Sequence, residues 1–291
     1  MPAKTDAPPL GPSVPSVTLA TAAPLSAPLP GARHGRDPER AIKRGPSRLS
    51  PEQVAATQRD RLYDGLVHTV AEHGYADATV TDICRAAGVT RPAFYVHFDG
   101  KQDAFLATYR HGTGVLFRMM EKAYAQGGDW REGTRLGLAT LLDVLASVPA
   151  FAQMAIVEIE AVGPPARRER EDLLSRFGRF FADAPTPEGP ASPQVLIATL
   201  VGGVYSAIYR HVAAGRAQTL PELLPTLEYF LFVPFLGPRE AAREAGREDE
   251  ETRPHTVAPC AQNPPPETAR PDIVEAGAGR RGSRPATGSA P

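Results

Sequence analysis

The first long helix is predicted from a four-residue spacing between apolar positions. Leu62, Leu66 and Val70 repeat at that interval, which places them on one face of an α-helix. The letters "SPEQ" from Ser50 supply an N-cap, a proline at the first helical position and a capping-box glutamine. Gly74 is predicted to stop the helix, because glycine readily adopts the backbone conformation that ends helices.

Two short helices and a longer one are predicted next. "TVTDICRAAG" forms a helix capped by Thr79, and Gly88 then provides a left-handed turn. Thr90 begins the following helix, in which Phe94 and Phe98 lie four residues apart and face a small core. Asp99 is expected to cap a fourth, longer helix.

Helical periodicity continues to about residue 237, and it shows neither strand alternation of useful length nor an internal repeat. Breakers separate five further runs at 130–146, 151–162, 167–181, 195–214 and 220–235, the last interrupted by Pro225 and Pro234. The predicted fold class is therefore all-α. We expect a helix-turn-helix domain at 48–100 and a larger helical domain at 101–237. Residues 1–47 and 238–291 have few large apolar side chains, so both tails are predicted to be disordered.

Composition narrows the class of protein. The 291 residues carry a net charge of −1 and only two cysteines, which lie far apart, so neither a disulfide framework nor a cysteine metal site is expected. The longest apolar stretch, Val195–Tyr209, is too short for a membrane span, and no signal peptide is evident. We expect a cytoplasmic protein without membrane contact, metal or cofactor. Because no nucleophile–base pair or glycine-rich phosphate loop is evident, an enzyme is not expected.

The helix that begins at Thr90 is the predicted DNA-reading element. A short helix, a tight "AGV" turn and a second short helix form a helix-turn-helix, whose second helix enters the major groove. Arg91 is the candidate for hydrogen bonding to a guanine base. The small residues Pro92 and Ala93 allow close approach to the groove. The hydroxyl, aromatic and basic side chains of this region are expected to face phosphates. The predicted contacts are Thr79, Thr81, Thr90, Arg91, Pro92, Ala93, Tyr95, His97 and Lys101.

The stretch "TVTDICRAAGVTRPAFYVHFDGKQDAF" (Thr79–Phe105) resembles the N-terminal DNA-binding domain of TetR-type regulators. The matching features are the "HGYADATV" segment before it, the "AGV" turn, the "FYVHF" run and the lysine three residues later. The resemblance covers residues 48–107; Pro92 and the long tails depart from the usual pattern. It implies a repressor that binds an operator in double-stranded DNA, a small-molecule effector and a homodimer. The alternative is a helical ligand-binding or adaptor protein that keeps the fold without operator recognition.

Candidate effector contacts are apolar and aromatic residues of the larger domain. They also fit an ordinary helical core, so this assignment stays open. Glu158 and Glu160 interrupt an apolar helix and either face solvent or orient a ligand. The candidates are Tyr109, Met120, Trp130, Phe151, Met154 and Glu158.

The last two helical runs are the predicted dimer interface. Gly202 and Gly203 lie in mid-helix, which suggests close approach of another backbone, although packing within one subunit is the alternative. The predicted interface residues are Leu196, Leu200, Gly203, Tyr205, Ile208 and Leu227.

The end of the N-terminal tail is basic. Residues 33–48 contain six Arg or Lys against two acidic residues, so this stretch is either a DNA-binding arm or a solvated linker.

Overall fold

Eleven α-helices account for most of the described chain, which in this computed structural model comprises residues 28–37, 50–187 and 192–246. The first four are α1 (Pro51–Asp77), α2 (Val80–Ala87), α3 (Arg91–His97) and α4 (Lys101–Tyr124). No strand occurs in these ranges, so the all-α prediction is confirmed.

The remaining helices surround α4. They are α5 (Trp130–Ser147), α6 (Pro149–Ala152), α7 (Ile159–Val162), α8 (Pro164–Arg176), α9 (Pro193–Ala213), α10 (Leu224–Leu236) and α11 (Pro238–Ala245). A π-helical turn, Gln153–Glu158, joins α6 to α7, and 3₁₀ turns cover Phe177–Phe181 and Ala217–Leu223. Helix α10 continues through Pro234, where the sequence predicted an interruption.

The predicted local signals match the observed helix ends in most cases. The Ser50 hydroxyl accepts from Gln53 N, and the Gln53 side chain accepts from Ser50 N, which completes the capping box. Gly74 leaves the helical region at φ 77°, so α1 is kinked there before a final turn to Asp77. Gly88 adopts the left-handed conformation predicted for it.

The predicted cap of α4 is wrong. Gly100, not Asp99, is the N-cap of α4, and no side chain in the described part of the chain caps this helix. The backbone N–H of Asp99 instead donates to Asp103 Oδ2 at 3.1 Å. The carboxylate that accepts this N–H therefore belongs to Asp103, which lies in the first turn of α4, four residues after Asp99.

Residues 28–37 correct the prediction of a disordered N-terminal tail. Leu29 is only 6% exposed, and Gly31 N donates to Asp64 Oδ1 at 2.8 Å. Arg61 Nε donates to the Gly35 carbonyl at 2.7 Å, and the His34 and His68 rings stack 5.2 Å apart. We call residues 28–37 the N-terminal strap, since they lie along α1. The disorder predicted for the rest of 1–47 lies outside the described residues.

The predicted C-terminal tail also begins with ordered structure. α11 covers Pro238–Ala245, and it buries Ala241 completely. Arg131 of α5 pairs with Glu240 and Glu244, which fixes α11 to the start of α5. This charged segment is thus ordered because Arg131, which is distant in the sequence, pairs with its glutamates. Disorder predicted beyond residue 246 concerns residues outside the described part.

One hydrophobic core runs through both predicted domains. Phe94 of α3 and Phe105 of α4 are fully buried in the same cluster as Phe151 and Phe232 of the larger bundle. Because this core continues across residue 100, a change in the bundle can reach the helix-turn-helix through packed side chains.

Candidate DNA-binding surface and ligand cavity

The helix-turn-helix is held by close backbone packing between α1 and α2. A Cβ atom at Gly65 would lie 2.7 Å from the backbone nitrogen of Ala87, which is closer than real contacts allow. Behind the turn, the Phe94 and Phe98 rings lie 5.5 Å apart, and Tyr63 packs on Phe98 at 6.0 Å. This small core fixes the position of α3 and leaves its opposite face in solvent.

The exposed face of α3 carries the residues expected to read DNA. Arg91, Pro92 and Tyr95 are exposed, and half of the Tyr95 side-chain surface is free. Val96, 78% exposed, belongs to the same face and was missed, although it lies four residues after Pro92. A large apolar residue so exposed on a recognition helix is suited to the methyl group of thymine.

Residues at the starts of α2 and α3 have internal partners. The Thr79 hydroxyl donates to Asp82 at 2.5 Å, and this bond is the main reason that the pKa of Asp82 lies below its ordinary value. Thr90 caps α3, with Ala93 half-buried behind it. Arg91 Nη1 lies 3.4 Å from the exposed Thr81 hydroxyl, so this guanidinium reaches back over α2.

His97 and Lys101 are turned toward the protein. His97 is half-buried and lies 3.3 Å from Gln58 Oε1; desolvation by burial and the cation of Arg59 lower its pKa, so the ring is neutral at pH 7. Lys101 Nζ donates to the Tyr75 carbonyl at 2.6 Å and the Ala76 carbonyl at 3.1 Å. The lysine thereby binds the end of α1, a role the sequence did not suggest, because these acceptors are about 25 residues away.

A cavity of about 100 Å³ lies inside the larger domain, between α4, α5, α8 and α9. Its walls are almost entirely apolar, and three of the six predicted effector contacts line it. Those three are Tyr109, Met120 and Phe151.

The other predicted effector contacts lie elsewhere. Trp130 packs edge-on against Phe232 at 5.4 Å, and Met154 is fully buried outside the cavity lining. Glu158 accepts from the backbone N–H of Tyr75 at 2.8 Å and from Gln153 Nε2 at 3.2 Å. Glu158 therefore joins the π-helical turn to the end of α1. The two alternatives predicted from the sequence, exposure to solvent and orientation of a ligand, do not include this role.

Most of the residues that line the cavity were not predicted from the sequence, and three of them are informative. Ala155 and Ile156 of the π-helical turn line the wall, and such turns often occur at functional sites. Arg170 of α8 also lines it, although it lies in the strongly charged segment "ARREREDLL". Nothing in the sequence distinguishes Arg170 from Arg167 and Arg168, which are exposed on the same helix.

The predicted interface residues face mostly inward, and this corrects their assignment. Leu200, Ile208 and Leu227 are buried within the subunit. Leu196 packs against the core, and the Tyr205 hydroxyl donates to the Ile156 carbonyl at 3.0 Å.

The two adjacent glycines of α9 have different surroundings. A Cβ atom at Gly203 would lie 2.6 Å from the Phe230 ring of the same chain, so this glycine serves packing within the subunit. Gly202 faces open space.

The outer face of α9 and α10 remains uncovered. Val195 is 63% exposed, and Tyr229 and Phe230 are each about two-fifths exposed. Helix α9, with 21 residues, has the length and apolar composition of a membrane-spanning helix, although the apolar stretch Val195–Tyr209 alone is too short for one, and 28% of its most apolar part is buried. The bent pair of α5 with the segment Pro149–Val162 meets the same criterion if it is counted as one span.

The fold and these surfaces define a class of helix-turn-helix protein in which an exposed short helix, α3, is joined by one core to a helical bundle with an internal cavity. Residues 62–108 match the family model described as bacterial regulatory proteins, tetR family. This match includes most of Thr79–Phe105, so the predicted resemblance to TetR-type DNA-binding domains is confirmed for this part of the chain.

Individual relatives agree with this assignment. The HTH-type transcriptional regulator BetI of Brucella canis is 32% identical over 130 residues, covering 45% of this chain and 63% of that protein. The HTH-type transcriptional repressor AcnR of Corynebacterium diphtheriae is 28% identical over 142 residues, covering 44% and 70%. The chain thus spans less than two thirds of the BetI relative. Both are named as regulators, in agreement with the expectation that this chain is not an enzyme.

A solved structure has the same fold. The transcriptional regulator FadR from Bacillus subtilis, in complex with stearoyl-CoA, aligns with a TM-score of 0.52 and 19% sequence identity. The alignment covers 60% of this chain and 97% of that one. It therefore includes both the helix-turn-helix and the helical bundle.

Proposed function

We propose that this protein is a cytoplasmic, sequence-specific transcriptional repressor whose operator affinity falls when a small molecule occupies the cavity. The observation that carries the proposal is the exposed face of α3, where Arg91, Pro92, Tyr95 and Val96 stand free above a buried aromatic core. A short helix with this division of faces fits the major groove. The relative AcnR, named as a repressor, supports the direction of regulation.

Binding-site selection with random double-stranded DNA tests this function. We expect the full chain to enrich one palindromic sequence whose half-sites are about one or two helical turns apart. Enrichment of no sequence would favour the alternative, a ligand-binding or adaptor protein. Deletion of the gene should raise transcription from the promoter that contains the selected site, whereas lower transcription would indicate an activator.

We infer that the protein acts as a homodimer joined through the outer face of α9 and α10. Val195, Tyr229 and Phe230 form an apolar surface there, and Gly202 between them offers space for a neighbouring helix. Two helices from each subunit would form a four-helix interface that covers this surface. The predicted interface residues that face inward would pack within their own subunit, beneath this surface, and would support the interface only indirectly.

A charge on this face is expected to separate the subunits. Tyr229→Glu would bury an unpaired carboxylate in the interface, which costs several kcal/mol, so we expect monomers at micromolar concentration. Met119→Glu is the matched control, since Met119 of α4 is 43% exposed and lies outside this face. Sedimentation measures both variants. Wild-type protein that sediments as a monomer would rule out the dimer, and a dimeric Tyr229→Glu would rule out this face.

Coupling between cavity and DNA is proposed to run through Glu158. Its carboxylate holds the Tyr75 N–H, the Tyr75 carbonyl accepts from Lys101, and Lys101 begins α4 directly after the reading helix. Ile156, two residues before Glu158, lines the cavity. A ligand that moves this wall therefore acts on the end of α1 and the start of α4 together. The link is reciprocal, so DNA binding must also affect the wall.

Amide hydrogen exchange tests this link without any effector. In the wild type, operator DNA is expected to change exchange in residues 153–158. In Glu158→Ala, exchange at the Tyr75 amide should rise about tenfold or more, since a hydrogen bond to a charged group is lost, and the DNA response of 153–158 should disappear. Glu169→Ala, which breaks an exposed pair with Arg110, should retain both behaviours. An unchanged DNA response in Glu158→Ala would contradict the link.

A further inference from the structure

The cavity has one polar region, formed around Arg170. Arg170 Nε is buried and has no hydrogen-bond partner among the described residues, although Arg170 lines the cavity. Its Nη1 pairs with Glu160, and its guanidinium carbon lies 5.7 Å from the centroid of the Tyr205 ring. A buried donor without an acceptor is rare, and it indicates that an acceptor occupies this position in the working protein.

Tyr109 provides a second donor in the same region. It is 2% exposed and lines the cavity. Desolvation by burial raises the pKa of Tyr109 far above its ordinary value, with the nearby Tyr205 adding to the rise and Arg170 opposing it. The hydroxyl thus stays protonated at neutral pH and can donate. The neighbouring Tyr205 hydroxyl already donates to the Ile156 carbonyl.

The remaining walls require an apolar body of limited size. Leu116, Leu141, Phe151 and Phe177 are among the side chains that surround the space. A cavity of about 100 Å³ is of the order of one that holds benzene, roughly 150 Å³. It matches a single ring or a chain of about six carbons.

We propose that the effector is a small monocarboxylic acid, whose carboxylate accepts hydrogen bonds from Arg170 and Tyr109 while its apolar body fills the cavity. The inference rests on the proposed effector-responsive function and specifies the ligand class of its cavity. A carboxylate is favoured over a neutral acceptor because it is acceptor-only and because its hydrogen bond to a guanidinium is charge-assisted. Glu160 occupies only one end of the guanidinium, so donors remain for the ligand.

Calorimetric titration of the full chain without DNA tests the ligand class. Phenylacetate and hexanoate are the probes, with 2-phenylethanol and hexan-1-ol as neutral partners of the same size, and stearoyl-CoA as a large acid-derived probe. We expect each acid to bind at least tenfold more tightly than its alcohol. Equal binding of acid and alcohol, tight binding of stearoyl-CoA alone, or no binding of either acid would overturn the proposal.

Variants assign the two donors. Arg170→Gln should weaken phenylacetate binding about ten- to a hundredfold, and Tyr109→Phe should weaken it about threefold to tenfold. Arg168→Gln, on the exposed side of the same helix, should bind as the wild type does. Circular dichroism shows whether each variant folds. If Arg170→Gln does not fold, phenylacetate binding by Tyr109→Phe still tests the assignment. Acid affinity unchanged in the folded variants would refute the assignment.

Operator affinity, measured separately by fluorescence anisotropy, distinguishes the two levels of the proposal. If neither acid binds but the selected operator is bound, only the ligand class is wrong. If wild-type protein binds no operator, the proposed function itself fails, whatever the calorimetry gives.

Discussion

A chain that begins at residue 38 is expected to lose about 2–4 kcal/mol of unfolding free energy. Removal of the N-terminal strap uncovers the apolar contact made by Leu29 and takes the Gly31 N–H from Asp64 and the Gly35 carbonyl from Arg61. Burial of the Leu29 side chain alone contributes about 1.5–3 kcal/mol. The composition of residues 1–47 predicts instead that a chain beginning near Ser47 folds normally.

Urea denaturation of three chains measures this effect. The full chain and a chain that begins at residue 28 keep every strap contact, so they should unfold with the same free energy. The chain that begins at residue 38 should unfold at a lower urea concentration with a similar slope. Equal stability of all three would show that the strap contributes nothing.

The strap also affects how a loss of DNA affinity is interpreted. Arg36 Nε donates to the Arg85 carbonyl at 2.6 Å, and Arg61 Nη2 donates to the Gly88 carbonyl at 3.2 Å, both at the end of α2. A shortened chain can therefore bind DNA weakly because the helix-turn-helix is less well supported. The salt dependence separates this cause from lost phosphate contacts, because only the latter reduces the salt slope.

Arg91→Ala is expected to cost about 1–3 kcal/mol in operator binding and to relax the preference at one base position in each half-site. The residue is exposed at the first position of α3, and its guanidinium makes a long, 3.4 Å contact with the Thr81 hydroxyl. Loss of the side chain should therefore leave folding intact. Repeated binding-site selection with the variant gives the base preference directly, and an unchanged preference would remove Arg91 from the groove.

Two further variants make that result specific. Tyr95→Phe removes the hydroxyl of a half-exposed side chain, and it should weaken binding to all sequences alike if that hydroxyl contacts phosphate. The sequence predicts that Lys101→Ala also weakens binding to all sequences alike. Because its ammonium group binds the Tyr75 and Ala76 carbonyls, we now expect mainly a loss of stability, with a smaller change in salt slope than one phosphate contact gives.

Local signals determined the helix-turn-helix from the sequence alone. The caps at Ser50, Thr79 and Thr90 and the left-handed Gly88 depend on atoms a few residues apart, so their pattern in the chain is sufficient. The buried faces of α1 and α3 followed from spacing for the same reason. The exposed Arg91 and Tyr95 followed as the complement of the buried Phe94.

Contacts between distant segments decided the rest. An apolar helix such as α9 can bury any of its sides, so the inward direction of Leu200 and Ile208, and the exposure of Val195, depend on where α10 and the cavity lie. Arg170 resembles other surface arginines until α9 and α4 bring Tyr205 and Tyr109 beside it. The strap is polar and rich in glycine, and it is ordered only because α1 presents Asp64 and Arg61 to its backbone. Tertiary structure was needed wherever a side chain's partner lies far away in the sequence, since no local pattern encodes that partner.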